Sequence, residues 1–224
     1  MKTQFPIENQ PLLQYEDESA ESQGRYAKHP HGWSRQIQLM HEPGEILSTE
    51  TLQVEPLNFE IGSGHGDFIE RKAKEDPDGY YIGIENVPYF ALSGAKKLQK
   101  AGLTNALMLN QNANDMLEQV FPDESLDKIY ILYPDPWPKN RHEKRRLIRE
   151  STHQRYHDVL KPGGEIEIWT DSEKWVTLSL PLLKQLPGSI EQEEVADDTR
   201  DLRTLFERKA KSKGHPIFHI LYKK

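Results

Sequence analysis

Leu57-Asn58-Phe59-Glu60-Ile61-Gly62-Ser63-Gly64-His65-Gly66-Asp67 reads as a short strand that runs straight into a glycine-rich turn and then a helix. The apolar residues around Glu60 supply the strand, and Gly62, Gly64 and Gly66 supply backbone freedom that residues with a Cβ lack. A helix from Phe68 to about Glu75 follows, closed by Asp76-Pro77-Asp78-Gly79. Outward from this unit the same alternation repeats. Tyr80 to Glu85 is a second strand with an acid at its tip, and a helix from about Val87 to Lys100 ends at Gly102 as a C-cap. Ala106 to Leu109 is a third strand, Asp115 to Val120 a short helix, and Leu126 to Tyr133 a fourth strand. Glu143 to Leu160 reads as a long helix stopped by Pro162-Gly163-Gly164. Glu165-Ile166-Glu167-Ile168-Trp169 alternates as a fifth strand, and Thr170-Asp171-Ser172-Glu173 resembles a capping box opening another helix. The tail holds a strand near Ile190 to Val195, a basic helix from about Thr204 to Lys213, and a last strand from Ile217 to Tyr222. Strands alternating with helices predict an α/β, doubly wound, Rossmann-like sheet over residues 51–224. Residues 1–50 lack sustained periodicity and read as a polar, partly mobile N-terminal arm.

Composition narrows the function. The chain has 224 residues and no cysteine, which excludes disulfides, thiolate catalysis and Cys-ligated metals. Met1 to Gln14 has no apolar targeting core and no run approaches a membrane span, so a cytoplasmic protein with no membrane partner is expected. A net charge of −7 argues against a non-specific nucleic-acid binder while leaving room for a local basic patch. His29 and His31 flank a proline and read as a solvated loop. His153 and His157 stand four apart on a helix without the glutamate of a zincin, and read as surface histidines; no metal is expected. Ser63 is not a nucleophile elbow, because glycines adjoin it directly.

The glycine turn points to a nucleotide-type ligand. A dinucleotide fingerprint wants glycine at its sixth position, where this chain has Asp67. Glycines at 62, 64 and 66 fit better the loop of S-adenosylmethionine (SAM) methyltransferases, which seat no pyrophosphate. Glu60 is then placed to catch the methionine ammonium, and Glu85 to accept both ribose hydroxyls.

A second unit stands at the end of the fourth strand. Ile129-Tyr130-Ile131-Leu132 is a buried-strand run, and Pro134, Pro136 and Pro138 then stop any ladder or helix. The stiff loop carries Asp135, Trp137 and Lys139 at a strand's carboxyl end, where open α/β sheets bind ligands. Directly after it, Lys139, Arg141, Lys144, Arg145, Arg146 and Arg149 outnumber the single acid Glu143, as phosphate contacts would require.

Tyr133-Pro134-Asp135-Pro136-Trp137-Pro138-Lys139, followed by Arg141-His142 and Lys144-Arg145-Arg146, resembles the signature of the tRNA (guanine-N7-)-methyltransferase family. Glu60-Ile61-Gly62-Ser63-Gly64, Gly83-Ile84-Glu85, Thr170-Asp171 and Thr204 through Glu207 before Gly214 agree in order and spacing, from about residue 57 to the C-terminus. The resemblance implies a class I SAM-dependent methyltransferase sheet of seven strands with the last antiparallel. It implies transfer of a methyl group from SAM to N7 of a guanosine in the tRNA variable loop (position 46), by a monomer or homodimer. Glu60, Gly62, Gly64, Glu85 and Asn112 would bind SAM. Asp135 would be catalytic, and Lys139, Arg145, Arg146, Asp171, Thr204 and Glu207 would meet tRNA. Two departures stand out: Asn112-Ala113 replaces the usual Asp-Ala, and Tyr133 replaces the usual phenylalanine. Asn112 can still offer its carbonyl to the adenine amino group. A diverged SAM-dependent paralogue acting on another RNA or a small molecule, and a non-catalytic RNA-binding relative, are the rival readings.

Overall fold

The computed structural model describes residues 53–134, 147, 149–194 and 204–224. The N-terminal arm, Asp135, Trp137, Lys139, Arg145 and Arg146 lie outside the described residues. Strand β1, Leu57–Ile61, is buried along its whole length. The reason is its position: it pairs in parallel with β2, Tyr80–Ile84, on one side and β4, Leu126–Leu132, on the other. With β3 (Ala106–Leu109), β5 (Leu160–Thr170), β6 (Ser189–Glu194) and β7 (Phe218–Lys223), the sheet runs β3-β2-β1-β4-β5-β7-β6. β7 lies antiparallel to both β5 and β6, as expected for a last strand inserted between them.

Helices cover both faces. Phe68, Ile69 and Ala73 of α1 (Asp67–Glu75), Leu98 of α2 (Pro88–Lys100) and Ala210 of α6 (Leu205–Ser212) share one apolar cluster with Tyr130, Leu132, Tyr133 and Trp169. The opposite cluster joins Phe59 and Ile131 to α3 (Ala113–Gln119), α4 (Glu150–Val159) and α5 (Glu173–Leu183). The strand order reverses between β1 and β4, so a crevice opens at their carboxyl ends. Among the described residues, no helix is long and apolar enough to cross a membrane.

Three local expectations are corrected. The first concerns Pro162-Gly163-Gly164, which lies inside β5 instead of ending the helix before it. Leu126 pairs with Leu160 and Lys128 with Glu165, so the chain bulges between these pairs without leaving β4. Gly163 takes φ +80°, and a Cβ on Gly164 would stand 2.9 Å from the Lys161 carbonyl oxygen, so glycine suits both positions. The second concerns the cap of α5, which is Ser172, its Oγ accepting from the Trp175 N–H at 3.2 Å. Thr170 stays in β5, and its hydroxyl accepts from the Ser172 N–H.

The third correction concerns His153, which is buried, at 1% exposure, rather than on the surface. Its Nε2 lies 2.7 Å from Ser179 Oγ and its Nδ1 2.8 Å from the Arg149 carbonyl oxygen, joining α4 to α5. Burial holds its imidazole below the ordinary value. His157 is half-buried, with Nδ1 2.6 Å from the Tyr222 hydroxyl.

Candidate active site

The crevice is lined in the order in which the strands end. After β1 the chain enters the glycine turn, where the N–H groups of Gly62 and Ser63 both donate to the Ile84 carbonyl oxygen at 2.9 Å. Gly62, Gly64 and Gly66 have φ of +78°, +53° and +70°, the left-handed region that only glycine enters at no steric cost. A Cβ at Gly62 or Gly64 would meet nothing within 4 Å, so this side of the turn faces open space. A Cβ on Gly66 would stand 3.2 Å from the Gly94 Cα, so this side of the turn packs against α2 instead.

Glu60 sits one residue before the end of β1 and is 2% exposed. Its Oε2 has no hydrogen-bond partner. Burial, reinforced by Glu85 and Asp67, pushes its carboxyl up to about 8, and the Ser63 hydroxyl and Arg71 offset only part of that rise. A buried carboxyl with an unsatisfied oxygen awaits a cationic or proton-donating partner.

Glu85 follows β2 and braces the turn. Its Oε2 accepts from the Gly64 N–H at 3.1 Å and its Oε1 from the Val87 N–H at 2.8 Å. Burial raises its carboxyl above the ordinary range, while these backbone donors and His65 pull it back. One side chain thus ties the glycine turn to the start of α2. Each oxygen keeps a second lone pair for a hydroxyl donor.

The third strand brings an amide cluster. Asn110 Nδ2 donates to the Glu85 carbonyl oxygen at 2.8 Å, fixing the backbone behind that carboxylate. Asn112 caps α3, its Oδ1 accepting from the Asn114 N–H at 2.9 Å. The carbonyl expected to face an adenine amino group therefore already serves the helix, with one lone pair remaining.

Beyond the switch point, β4 is followed by Tyr133, whose φ is +50° although it is not glycine. Holding a bulky residue there costs about 1–3 kcal/mol. Its N–H donates to the Trp169 carbonyl oxygen at 2.6 Å, and burial of the ring helps to hold the turn. Asp171, after β5, has Oδ2 2.9 Å from His215 Nδ1. Thr204 caps α6 by accepting from the Glu207 N–H at 3.0 Å. Glu207 is 1% exposed, with Lys211 Nζ 2.9 Å from its Oε1.

The structure therefore gathers Glu60, Gly62, Gly64, Glu85 and Asn112 on the β1–β3 side of one edge, and Asp171, Thr204 and Glu207 on the β5–β7 side. Sequence reasoning missed Asn110 and His65, the latter with Nδ1 3.0 Å from Ser93 Oγ. An asparagine directly after the third strand was a legible signal for the first. The second depends on a partner in another helix, which spacing alone does not reveal.

Residues 54–220 match a family model described as "Putative methyltransferase". A tRNA (guanine-N(7)-)-methyltransferase of Oceanobacillus iheyensis is 38% identical over 167 residues, covering 73% of this chain and 78% of that protein. One of Geobacillus kaustophilus is 38% identical over 168 residues, covering 73% and 77%. Among solved structures, a SAM dependent methyltransferase from Aquifex aeolicus superposes with a TM-score of 0.52 at 16% identity, covering 77% of this chain and 84% of that one, a likeness of fold. The matched span runs from the first strand to the last, and on that ground the chain belongs to the tRNA (guanine-N(7)-)-methyltransferase family.

Proposed function

We propose that this protein transfers the methyl group of SAM to N7 of a guanosine in tRNA, in the variable loop at position 46, and that it acts in the cytoplasm. What carries the reading is kinship across residues 54–220, a span that includes both the glycine turn and the Pro134–Lys139 motif. Its test is incubation with labelled SAM and unmodified tRNA, followed by nucleoside analysis. Label in 7-methylguanosine is expected. Label in another nucleoside, or none, overturns the assignment.

The residues present fit the donor. Glu60 Oε2 is a buried oxygen without a partner, suited to an ammonium group. Gly62 and Gly64 leave open space beside the backbone, and Glu85 has lone pairs suited to a ribose diol. SAM supplies an electrophilic methyl group. Guanine N7 carries a lone pair and no proton, so the protein needs no strong base. Its residues have to hold N7 in line, a proximity effect worth several powers of ten. Asp135 is proposed to accept from the guanine N1–H and amino group and to offset the positive charge that methylation leaves on the base. Lys139, Arg145, Arg146 and Asp171 would position the tRNA around it, with the Thr204–Glu207 segment. A loop guanosine reaches such a pocket at far lower cost than a paired one.

The elevated Glu60 carboxyl gives a pH test. Its folded value of about 8 lies above 4.5, so between these limits the folded state holds a proton that the unfolded state releases. Its contribution to stability is complete below pH 4.5 and is lost as pH rises toward 8. Glu60→Gln should therefore melt several degrees higher than the parent at pH 8 without ligand, and almost level with it at pH 5. The same variant should bind SAM more weakly at pH 8, because its neutral amide cannot pair with the ammonium. Calorimetric melting across this range checks the first half. A parent whose ligand-free melting point holds level with the variant throughout would refute the buried-carboxyl account.

A further inference from the structure

We propose that Trp169 is a positioning residue for methyl transfer: its indole, locked by Glu167 and His219, fixes the Tyr133 turn from which the Asp135 loop departs. This rests on the methyl-transfer reading above and adds a residue to which that reading gives no part. The strand register brings the groups together. Leu132 of β4 pairs with Trp169 of β5, and Trp169 pairs with His219 of β7. Tyr133 follows Leu132 directly, and its N–H donates to the Trp169 carbonyl oxygen at 2.6 Å. Tyr133 and Trp169 are both buried and share one apolar cluster with Ala210 and Ile217.

The indole is held on two sides. His219 stacks on it, with ring centroids 4.2 Å apart and planes 17° from parallel. Its Nε1 donates to Glu167 Oε1 at 2.9 Å. The same oxygen stands 3.9 Å from His219 Nε2, while Glu167 Oε2 takes Lys128 Nζ at 2.6 Å. Lys128 Nζ is also 3.1 Å from Glu165 Oε2, so one ammonium anchors two acids of β5. Burial works to raise the Glu167 carboxyl, but Lys128, the indole N–H and His219 outweigh it and hold the group below the ordinary range. An ionised carboxylate is the stronger acceptor for the indole N–H.

Two features separate this arrangement from ordinary core packing. A buried tryptophan needs one acceptor for its N–H. Here that acceptor is itself anchored by a cation, and a second ring covers a face of the indole, so its orientation is set from both directions. The backbone beside it is also strained. Tyr133 holds φ +50°, a conformation that persists only where the surroundings over-determine it. Pro134 and Pro136 have φ fixed by their rings, so a shift at Tyr133 passes on to Asp135 instead of being absorbed between them.

The test is single-turnover methyl transfer by the full chain at saturating SAM and tRNA. Trp169→Phe keeps a ring to stack on His219 but cannot donate to Glu167. Its rate should fall about tenfold, within what an ångström of misplacement can cost. SAM affinity should stay within about twofold of the parent, since the glycine turn and Glu85 lie across the switch point. Glu167→Met should match the loss, whereas Glu167→Gln, which keeps a carbonyl for the indole, should lose no more than about threefold. In an Asp135→Asn background, Trp169→Phe should cost less than about twofold more, because the charge being positioned is gone. Trypsin reads the turn without chemistry. Cleavage after Lys139 and Arg141 should be several-fold faster in Trp169→Phe, with cleavage elsewhere at the parental rate. A parental transfer rate in Trp169→Phe overturns the proposal, and so does a full further tenfold loss in the Asp135→Asn background. Faster cleavage at every site would make Trp169 a core residue alone, and overturns it too. A parent that forms no 7-methylguanosine overturns the methyl-transfer reading, while the cleavage comparison still decides whether Trp169 fixes the turn.

Discussion

SAM binding is expected to fall about a hundredfold or more when Glu85 is replaced by alanine, while tRNA affinity stays near the parental value. Two losses combine. In the proposed site each carboxylate oxygen takes one ribose hydroxyl, and hydrogen bonds to a charged acceptor are worth about 1.5–3 kcal/mol each. The same oxygens accept from the Gly64 and Val87 N–H groups, so alanine also leaves those donors without a partner and frees the glycine turn from α2. Glu85→Gln separates the contributions. Its single carbonyl oxygen can keep at most two of the four roles, and intermediate affinity is expected. Calorimetry with the isolated protein, after circular dichroism verifies folding, is the measurement. A folded Glu85→Ala variant that binds SAM as tightly as the parent removes Glu85 from the ribose and reduces it to a structural brace.

What could be read from the sequence was what short-range physics decides. β1, the turn at Gly62–Gly66 and α1 were all legible, because a strand buried on both faces and a glycine punctuation leave a local trace. The acid at the end of β2 was legible for the same reason. Pro162-Gly163-Gly164 misled, because a proline followed by two glycines ordinarily ends an element. Here pairing with β4 resumes at Glu165 after a bulge, and that is a long-range fact. The cap of α5 shifted from Thr170 to Ser172 because β7 pairs as far as Thr170 and keeps it in the sheet.

His153 was misread because its partner Ser179 is on another helix, and a histidine between polar neighbours looks solvated. At the candidate site, residue types were legible but their existing obligations were not. Asn112 was assigned to adenine, yet its carbonyl caps α3; Glu207 was assigned to substrate, yet its carboxylate is buried beside Lys211. The left-handed backbone of Tyr133 left no mark at all, since tyrosine is a poor residue for that conformation.

Asp135→Asn is expected to slow methyl transfer by about a hundredfold or more with SAM affinity intact, the usual cost of removing one preorganised electrostatic partner. Asp135 lies between Pro134 and Pro136, which hold φ on either side near one value, so the amide should replace the carboxylate with little change of backbone. The described chain leads into it through the left-handed Tyr133, whose N–H is tied to the Trp169 carbonyl oxygen. Strain held by burial at that point favours a fixed approach over an adaptable one. Asparagine could still accept from guanine N1–H through its carbonyl, so tRNA binding should weaken only modestly. It could not offset the positive charge that appears on the base as the N7–methyl bond forms. Glu60, Glu85 and the glycine turn remain as they are, which is why SAM affinity should not move. Single-turnover kinetics at saturating SAM and tRNA isolate the chemical step from binding and release. Transfer by the variant at the parental rate would exclude Asp135 from the reaction and leave the proline-rich loop with a purely structural role.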